Sequence, residues 1–334
     1  MTPSRVLVRL PNWLGDVVMA RPFLWALRHA WPQARMLGVG PGALCAPLVD
    51  EGLLHALAPV SREVSARRDA AQAARAFRPE VAFVLPGSFS SAWLAWRSGA
   101  ATRIGFRGEG RRFLLTHAPA RAPRGDRHQS DEFLDLAALL GVREAEGLPV
   151  LQASDGGRDE AERIRAEAGV SGDYAIMGPR SAYGPAREWF PDRFAATARG
   201  LADRGLPVLV CGTASEAAAC AEVVRMSGGA AIPVAGRTTL PGLLALAAGA
   251  RLAVCNDSGL AHLAAAAGTP TIQIYGSAAS GWTAARGPHV RILHRAPVCS
   301  PCWQRRCSIG TRCLDAIGVP MVLRAADALL AEAA

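Results

Sequence analysis

A chain of 334 residues is about twice the usual domain length. Half its residues are hydrophobic and 19% are charged, which is enough apolar material for two cores and excludes a chain disordered throughout. The net charge of +9 is carried by arginine alone, since the sequence contains no lysine, and it points to an anionic partner such as nucleic acid, phospholipid headgroups or a phosphorylated substrate.

Residues 5–10 alternate well enough for a first strand. A polar turn over 11–16 and a helix over 17–29 follow, with Pro22 near the helix start. A short strand is expected at 36–39. Val81-Ala82-Phe83-Val84-Leu85 is a continuous apolar run of the kind buried on both faces of a sheet. Helical patterns fall at 67–78, 89–97 and 131–140. The pattern lapses near 145–158, which places a boundary between domains 1–150 and 151–334. It then restarts with helices at 159–168, 192–204, 215–226, 241–248 and 260–267. Strands alternate with them at 174–178, 207–211, 251–255 and 270–275. Such alternation specifies parallel sheets with helices on both faces, twice over. A last helix, 321–333, is expected to pack back on the first domain. No secretory leader is expected, because the apolar run Val6 to Val8 is only three residues long and ends at Arg9. The most apolar tract, Leu243 to Tyr275, is broken by Arg251, Asn256, Asp257, His262 and Pro270, so no membrane span is expected either. A cytoplasmic location follows as an expectation. The eight cysteines are then thiols rather than a disulfide framework, with Cys45, Cys211, Cys220 and Cys255 reading as small core residues.

Three segments carry chemistry. Val254-Cys255-Asn256-Asp257-Ser258-Gly259-Leu260-Ala261-His262 ends a buried strand and opens a helix, whose free N–H groups and dipole suit a diphosphate. The plainer reading is that Asp257 and Ser258 cap the helix and His262 is a satisfied core residue. Gly15-Asp16 puts a carboxylate near the C-terminal end of the first strand, where open α/β sheets bind ligands. There it can serve as a general base or simply cap a helix. The loop 178–189 brings Arg180 and Arg187 ahead of a helix. Arg187 is suited to clamping phosphate, and a surface loop with a packed Trp189 is the alternative.

Four motifs in register resemble the ADP-heptose:lipopolysaccharide heptosyltransferases of glycosyltransferase family 9, the heptosyltransferase II type above all. They are Pro11-Asn12-Trp13-Leu14-Gly15-Asp16-Val17-Val18-Met19, the run from Tyr183 to Trp189, Gly236-Arg237-Thr238-Thr239-Leu240, and Asn256 to His262. The resemblance spans about residues 5–330. It implies a GT-B fold of two Rossmann-like, doubly wound domains facing across a cleft. It also implies inverting, metal-independent transfer of heptose from an ADP-sugar to the lipopolysaccharide inner core, without a cofactor. On that resemblance Asp16 is the general base, and Arg187 stands where the family usually has lysine, against the departing diphosphate. Asp257, Ser258, Gly259 and His262 hold the diphosphate and sugar, Glu216 contacts the ribose and Thr238 lies near the adenine. Arg180-Ser181 departs from the usual Gly-Ala, and Ser277-Ala278-Ala279-Ser280 from Ser-Thr-Ser-Pro.

The first domain is then expected to bind the acceptor through a run of arginines that includes Arg103, Arg107 and Arg111, beside an anionic membrane that the protein touches peripherally. The same run would suit nucleic acid, but without aromatic interleaving or a recognised motif nucleic acid is not expected as a partner. Cys299, Cys302, Cys307 and Cys313 are spaced for one tetrahedral structural metal, or for reduced thiols with packing roles. Rival readings remain: the same chemistry on another glycan or a protein, a nucleotide-sugar epimerase, or a non-catalytic phosphate-binding or membrane-surface protein.

Overall fold

The computed structural model describes residues 2–332, and the chain divides into two compact units, Met1–Pro149 and Val150–Ala334. The first unit is built on five strands: β1 (Arg5–Arg9), β2 (Arg35–Gly40), β3 (Ala56–Pro59), β4 (Val81–Val84) and β5 (Thr102–Ile104). They pair in the order β3-β2-β1-β4-β5, every pair parallel. The apolar run of β4 is buried along its whole length, as a strand covered by helices on both faces must be. One core lies on the face where Phe23 meets Phe83 edge-on, 5.1 Å between ring centroids. A second core, around Leu7, Val39 and Val84, fills the other face.

The second unit repeats the design with six strands: β6 (Ala175–Gly178), β7 (Val208–Val210), β8 (Ala231–Pro233), β9 (Leu252–Asn256), β10 (Thr271–Tyr275) and β11 (Val290–His294). Their order is β11-β10-β9-β6-β7-β8, again all parallel. The order reverses between β1 and β4 in the first unit and between β6 and β9 in the second. Both units are therefore doubly wound.

The helix expected over 17–29 is two helices, Leu14–Met19 and Arg21–Ala30, jointed at Ala20. Proline has no N–H to continue a helical ladder, and Pro22 accordingly falls in the first turn of the second helix. The joint turns Arg21 inward. Its Nε donates to Glu51 Oε2 at 2.9 Å, and its Nη2 to the Pro149 carbonyl at 2.8 Å and to Glu51 Oε1. The C-terminal helix, Val319–Glu332, does not belong with the first unit as expected. Val322, Ala326 and Leu329 enter the core of the second unit, and the helix lies along Pro191–Ala202. Its apolar face packs against that helix, β9 and β10, so burial is satisfied locally. No helix among the described residues is long and apolar enough to cross a membrane.

Arg21 and Glu51 are both nearly buried, so removing one partner strands the other's charge. Glu51→Ala is expected to cost about 3–5 kcal/mol, read as a shift of the urea midpoint at unchanged slope.

Candidate active site

In an open parallel sheet, ligands bind beyond the carboxyl ends of the strands where the order reverses. In the second unit that place is flanked by the loop after β6 and the turn after β9, the two segments singled out above. Asn256, the fully buried last residue of β9, joins them. Its Oδ1 accepts from the Trp189 N–H at 2.9 Å, and its Nδ2 donates to the Pro179 carbonyl at 2.7 Å. The Ser181 hydroxyl adds a third tie, donating to the Asp257 carbonyl at 2.8 Å. Gly178 at the end of β6 leaves room for Leu260, whose Cδ2 would lie 2.9 Å from a Cβ placed there.

These ties set Arg187 against Asp257, with Nη1 and Oδ2 2.9 Å apart and the two side chains 14% and 4% exposed. The guanidinium carbon also sits 3.8 Å from the centre of the Tyr183 ring. Burial pushes the Asp257 carboxyl up from its ordinary range, opposed by Arg187 and by a hydrogen bond from the Tyr275 hydroxyl. Tyr275 is itself pushed well up by burial and by the adjacent carboxylate. Ser258 is the N-cap residue of the helix Gly259–Ala266, yet its hydroxyl makes no capping bond. Ser258 Oγ and Arg187 Nε are both buried without a hydrogen-bond partner. Partnerless buried polar atoms are rare and need a reason. A cap explains neither, whereas an anion lying on this helix start explains both. His262 is buried one turn further along the same helix.

The loop carrying Arg187 is held from a distant part of the chain. Gly184 adopts φ +143°, and a Cβ on it would meet the Arg305 carbonyl oxygen at 2.7 Å. That carbonyl accepts from the Ala186 N–H at 3.1 Å, while Arg305 Nε donates to the Tyr183 carbonyl at 2.8 Å. The Tyr183 hydroxyl donates to the Trp303 carbonyl at 2.6 Å. The Cys302 and Trp303 amides both donate to the Ser277 carbonyl, which anchors the clamp to the end of β10. Sequence reasoning treated the cysteine segment as separate from the site and gave Asn256, Tyr275 and Arg305 no part. Only Asn256, inside the motif, offered a signal. Among the described residues no group of three or more His, Cys, Asp or Glu side chains has the arrangement of a metal site. Cys307 is pulled below the usual thiol range by the N–H groups of Ile309, Thr311 and Gly310. The four isolated cysteines are buried as expected, and burial raises their thiols, to about 12 in Cys45 and Cys255.

Glu216 and Thr238 follow β7 and β8, so they continue the row of strand ends away from Arg187. Glu216 Oε2 closes a capping box with the Thr213 amide and hydroxyl, both at 2.8 Å. Thr238 is half-buried just before the helix Leu240–Ala248.

Asp16 stands at the matching place in the first unit, after β1. It is not a cap: Trp13 occupies the N-cap position, and Asp16 lies half-buried in the first helical turn. The buried Arg9 shapes the turn ahead of it, donating to the Leu10 carbonyl, to the Val39 carbonyl at 3.3 Å and to Asn12 Oδ1 at 2.7 Å. Burial lowers the Arg9 guanidinium to about 10. The arginine run divides in two. Arg111 is 1% exposed and donates to the carbonyls of Phe106, Pro86 and Ser88, while Arg103 donates to those of Leu114, Ala100 and Ala101. Most of their donors are thus spent on backbone carbonyls. Arg107 is exposed and, with Arg111, Arg112 and Arg121, lines an open hollow of about 560 Å³.

Two doubly wound units with an anion-ready helix start at one switch point and a carboxylate at the other define a nucleotide-sugar-type α/β enzyme scaffold. The chain belongs to glycosyltransferase family 9 (heptosyltransferase), whose pattern matches residues 67–312. It is 30% identical over 308 residues to lipopolysaccharide heptosyltransferase 2 of Escherichia coli K12, covering 86% of this chain and 87% of that protein. The solved structure of E. coli ADP-heptose lps heptosyltransferase II superposes with a TM-score of 0.80 at 27% identity, covering 98% and 99% of the two chains. The glycosyl transferase family 9 structure from Veillonella parvula DSM 2008 shares the fold, with a TM-score of 0.85 at 23% identity over 98% and 97%. The fold class is thus that of the GT-B glycosyltransferases, with two Rossmann-like doubly wound units.

Gly184→Ala tests the clamp. Strain at positive φ and the clash with the Arg305 carbonyl are expected to cost about 1–3 kcal/mol and to lower ADP affinity, measured by calorimetry.

Proposed function

We propose that the protein transfers heptose from ADP-L-glycero-D-manno-heptose to the lipopolysaccharide inner core, with inversion, at the cytosolic face of the inner membrane. The observation that carries the reading is the paired Arg187 and Asp257 beside the unpartnered Ser258 hydroxyl at a helix start, in a chain of the heptosyltransferase family. The diphosphate lies on the N–H groups at Gly259, with Ser258 donating to it and Arg187 turning from Asp257 toward it. The ribose and adenine then run along the strand ends past Glu216 and Thr238, and His262 and Asp257 face the sugar.

Asp16 takes the proton of the acceptor hydroxyl as that oxygen bonds to the anomeric carbon. The bond from that carbon to the diphosphate breaks on the opposite side and ADP leaves as the anion. Arg187 and the helix dipole offset the charge that develops, so the reading calls for no metal or cofactor. Arg107 meets the anionic acceptor from the exposed side of its loop, whose shape Arg103 and Arg111 maintain.

ADP release from ADP-heptose, with and without a monoheptosylated inner-core acceptor, is the deciding measurement. Release is expected to require the acceptor, and acceptor-independent turnover would instead mark an epimerase or hydrolase. Asp16→Asn is expected to cut turnover at least about a hundredfold with ADP affinity kept. Arg187→Ala is expected to weaken ADP binding about tenfold or more and to slow turnover with it, and unchanged affinity would remove Arg187 from the donor site.

A further inference from the structure

The helix Phe89–Arg97 is packed inside out. Its buried positions are Ser91, Ala92, Leu94 and Ala95, so mostly small side chains meet the sheet. Phe89, Trp93 and Trp96, at 41%, 42% and 46% exposure, project the other way at intervals of four and three residues, which is one helical face. Phe113, 72% exposed in the short 3₁₀ helix Arg112–Leu114, extends the same cluster. The rings contact one another in sequence: Phe113 with Phe89 at 6.1 Å between centroids, Phe89 with Trp93 at 6.3 Å and Trp93 with Trp96 at 4.9 Å. Folding gains nothing from large rings left in water on a helix whose inner face is already satisfied. A contiguous exposed aromatic patch marks a contact surface.

Charge at the edges of the patch selects the occupant. Arg97 and Arg112 are exposed at its two ends and have no ion-pair partner among the described residues. The nearby Glu109 carboxylate accepts from the Phe89 amide at 3.2 Å and forms no ion pair with either arginine among the described residues. Tryptophan and phenylalanine flanked by arginine fit the headgroup zone of an anionic bilayer, where rings enter the interface and guanidinium groups meet phosphate. No helix among the described residues is long and apolar enough to cross a membrane, so any lipid contact there would be peripheral.

We propose that Phe89, Trp93, Trp96 and Phe113, bordered by Arg97 and Arg112, form the membrane-docking face of the first unit, with anionic phospholipid as its ligand. The assignment deepens the proposed function, which makes the acceptor a lipid, and leans on that reading only for why docking is useful.

The test is co-sedimentation of the full chain with vesicles of phosphatidylethanolamine and phosphatidylglycerol, against vesicles of phosphatidylcholine alone. The unsubstituted protein is expected to bind the anionic vesicles, less so in high salt. The double variant Trp93→Ser with Trp96→Ser is expected to lose at least about tenfold in vesicle affinity, with ADP affinity and transfer to a deacylated, soluble acceptor both kept. Phe113→Ser, on a separate element, gives a smaller loss in the same direction and covers the case in which the double variant does not fold. Equal binding by variant and parent overturns the proposal, as does failure of the parent to bind anionic vesicles. Self-association of the parent that the double variant abolishes, without vesicle binding, also overturns it and assigns the face to a second copy. Absence of transfer to the soluble acceptor by the parent would refute the proposed function and leave the vesicle result to be read by itself.

Discussion

The second unit turns on the side chain of Asn256. A buried amide must place both its donor and its acceptor, and here each is given to a different end of the loop that carries Arg187. One planar group therefore fixes the turn after β9 relative to the loop after β6, and the arginine and carboxylate come to face each other as a result. Aspartate in this position would have no N–H to offer the Pro179 carbonyl, and leucine would leave both backbone groups unpaired. The site is consequently as rigid as the sheet beneath it, although two of its three components lie on loops.

Most of the fold was legible because a parallel sheet writes its central strands as apolar runs. The strands that reading passed over were β3, β5, β8 and β11, and each lies at an edge of its sheet. Edge strands are short and covered on fewer sides, and residues such as those of β11 are only partly buried, so no continuous apolar run marks them. The break at Ala20 was hidden for a related reason. Two helices meeting end to end preserve nearly the same apolar spacing as one, and only Pro22 hinted at the joint. The site divides along similar lines. Asp16, Arg187, Asp257 and Ser258 stood out because each follows a strand in its own motif. Tyr275 and Arg305 did not, because what places them near Arg187 is the meeting of separate strand ends, which sequence order conceals.

Arginine was the least readable residue. A chain whose positive charge is all arginine looks as if it were coated for an anionic partner, yet Arg9, Arg103 and Arg111 turn inward and spend their donors mainly on main-chain carbonyls, and Arg21 turns inward to Glu51 and the Pro149 carbonyl. A guanidinium carries five N–H groups in a fixed plane and so can pin two or three carbonyls that no secondary structure reaches. Loops such as 106–115, which contain little regular structure, owe their shape to this use. The arginines that remain exposed include Arg97, Arg107 and Arg112.

The clamp between Gly184 and Arg305 also bears on how the protein is born. The loop of Arg187 is made long before the segment that sets it, and at about 5–20 residues per second the ribosome reaches residue 305 roughly 6–24 s after residue 184. Through that interval β6 and β7 can pair, but the loop lacks its carbonyl partner. The surroundings of Arg187 are therefore completed late, once the segment around Arg305 has emerged and closes over the loop.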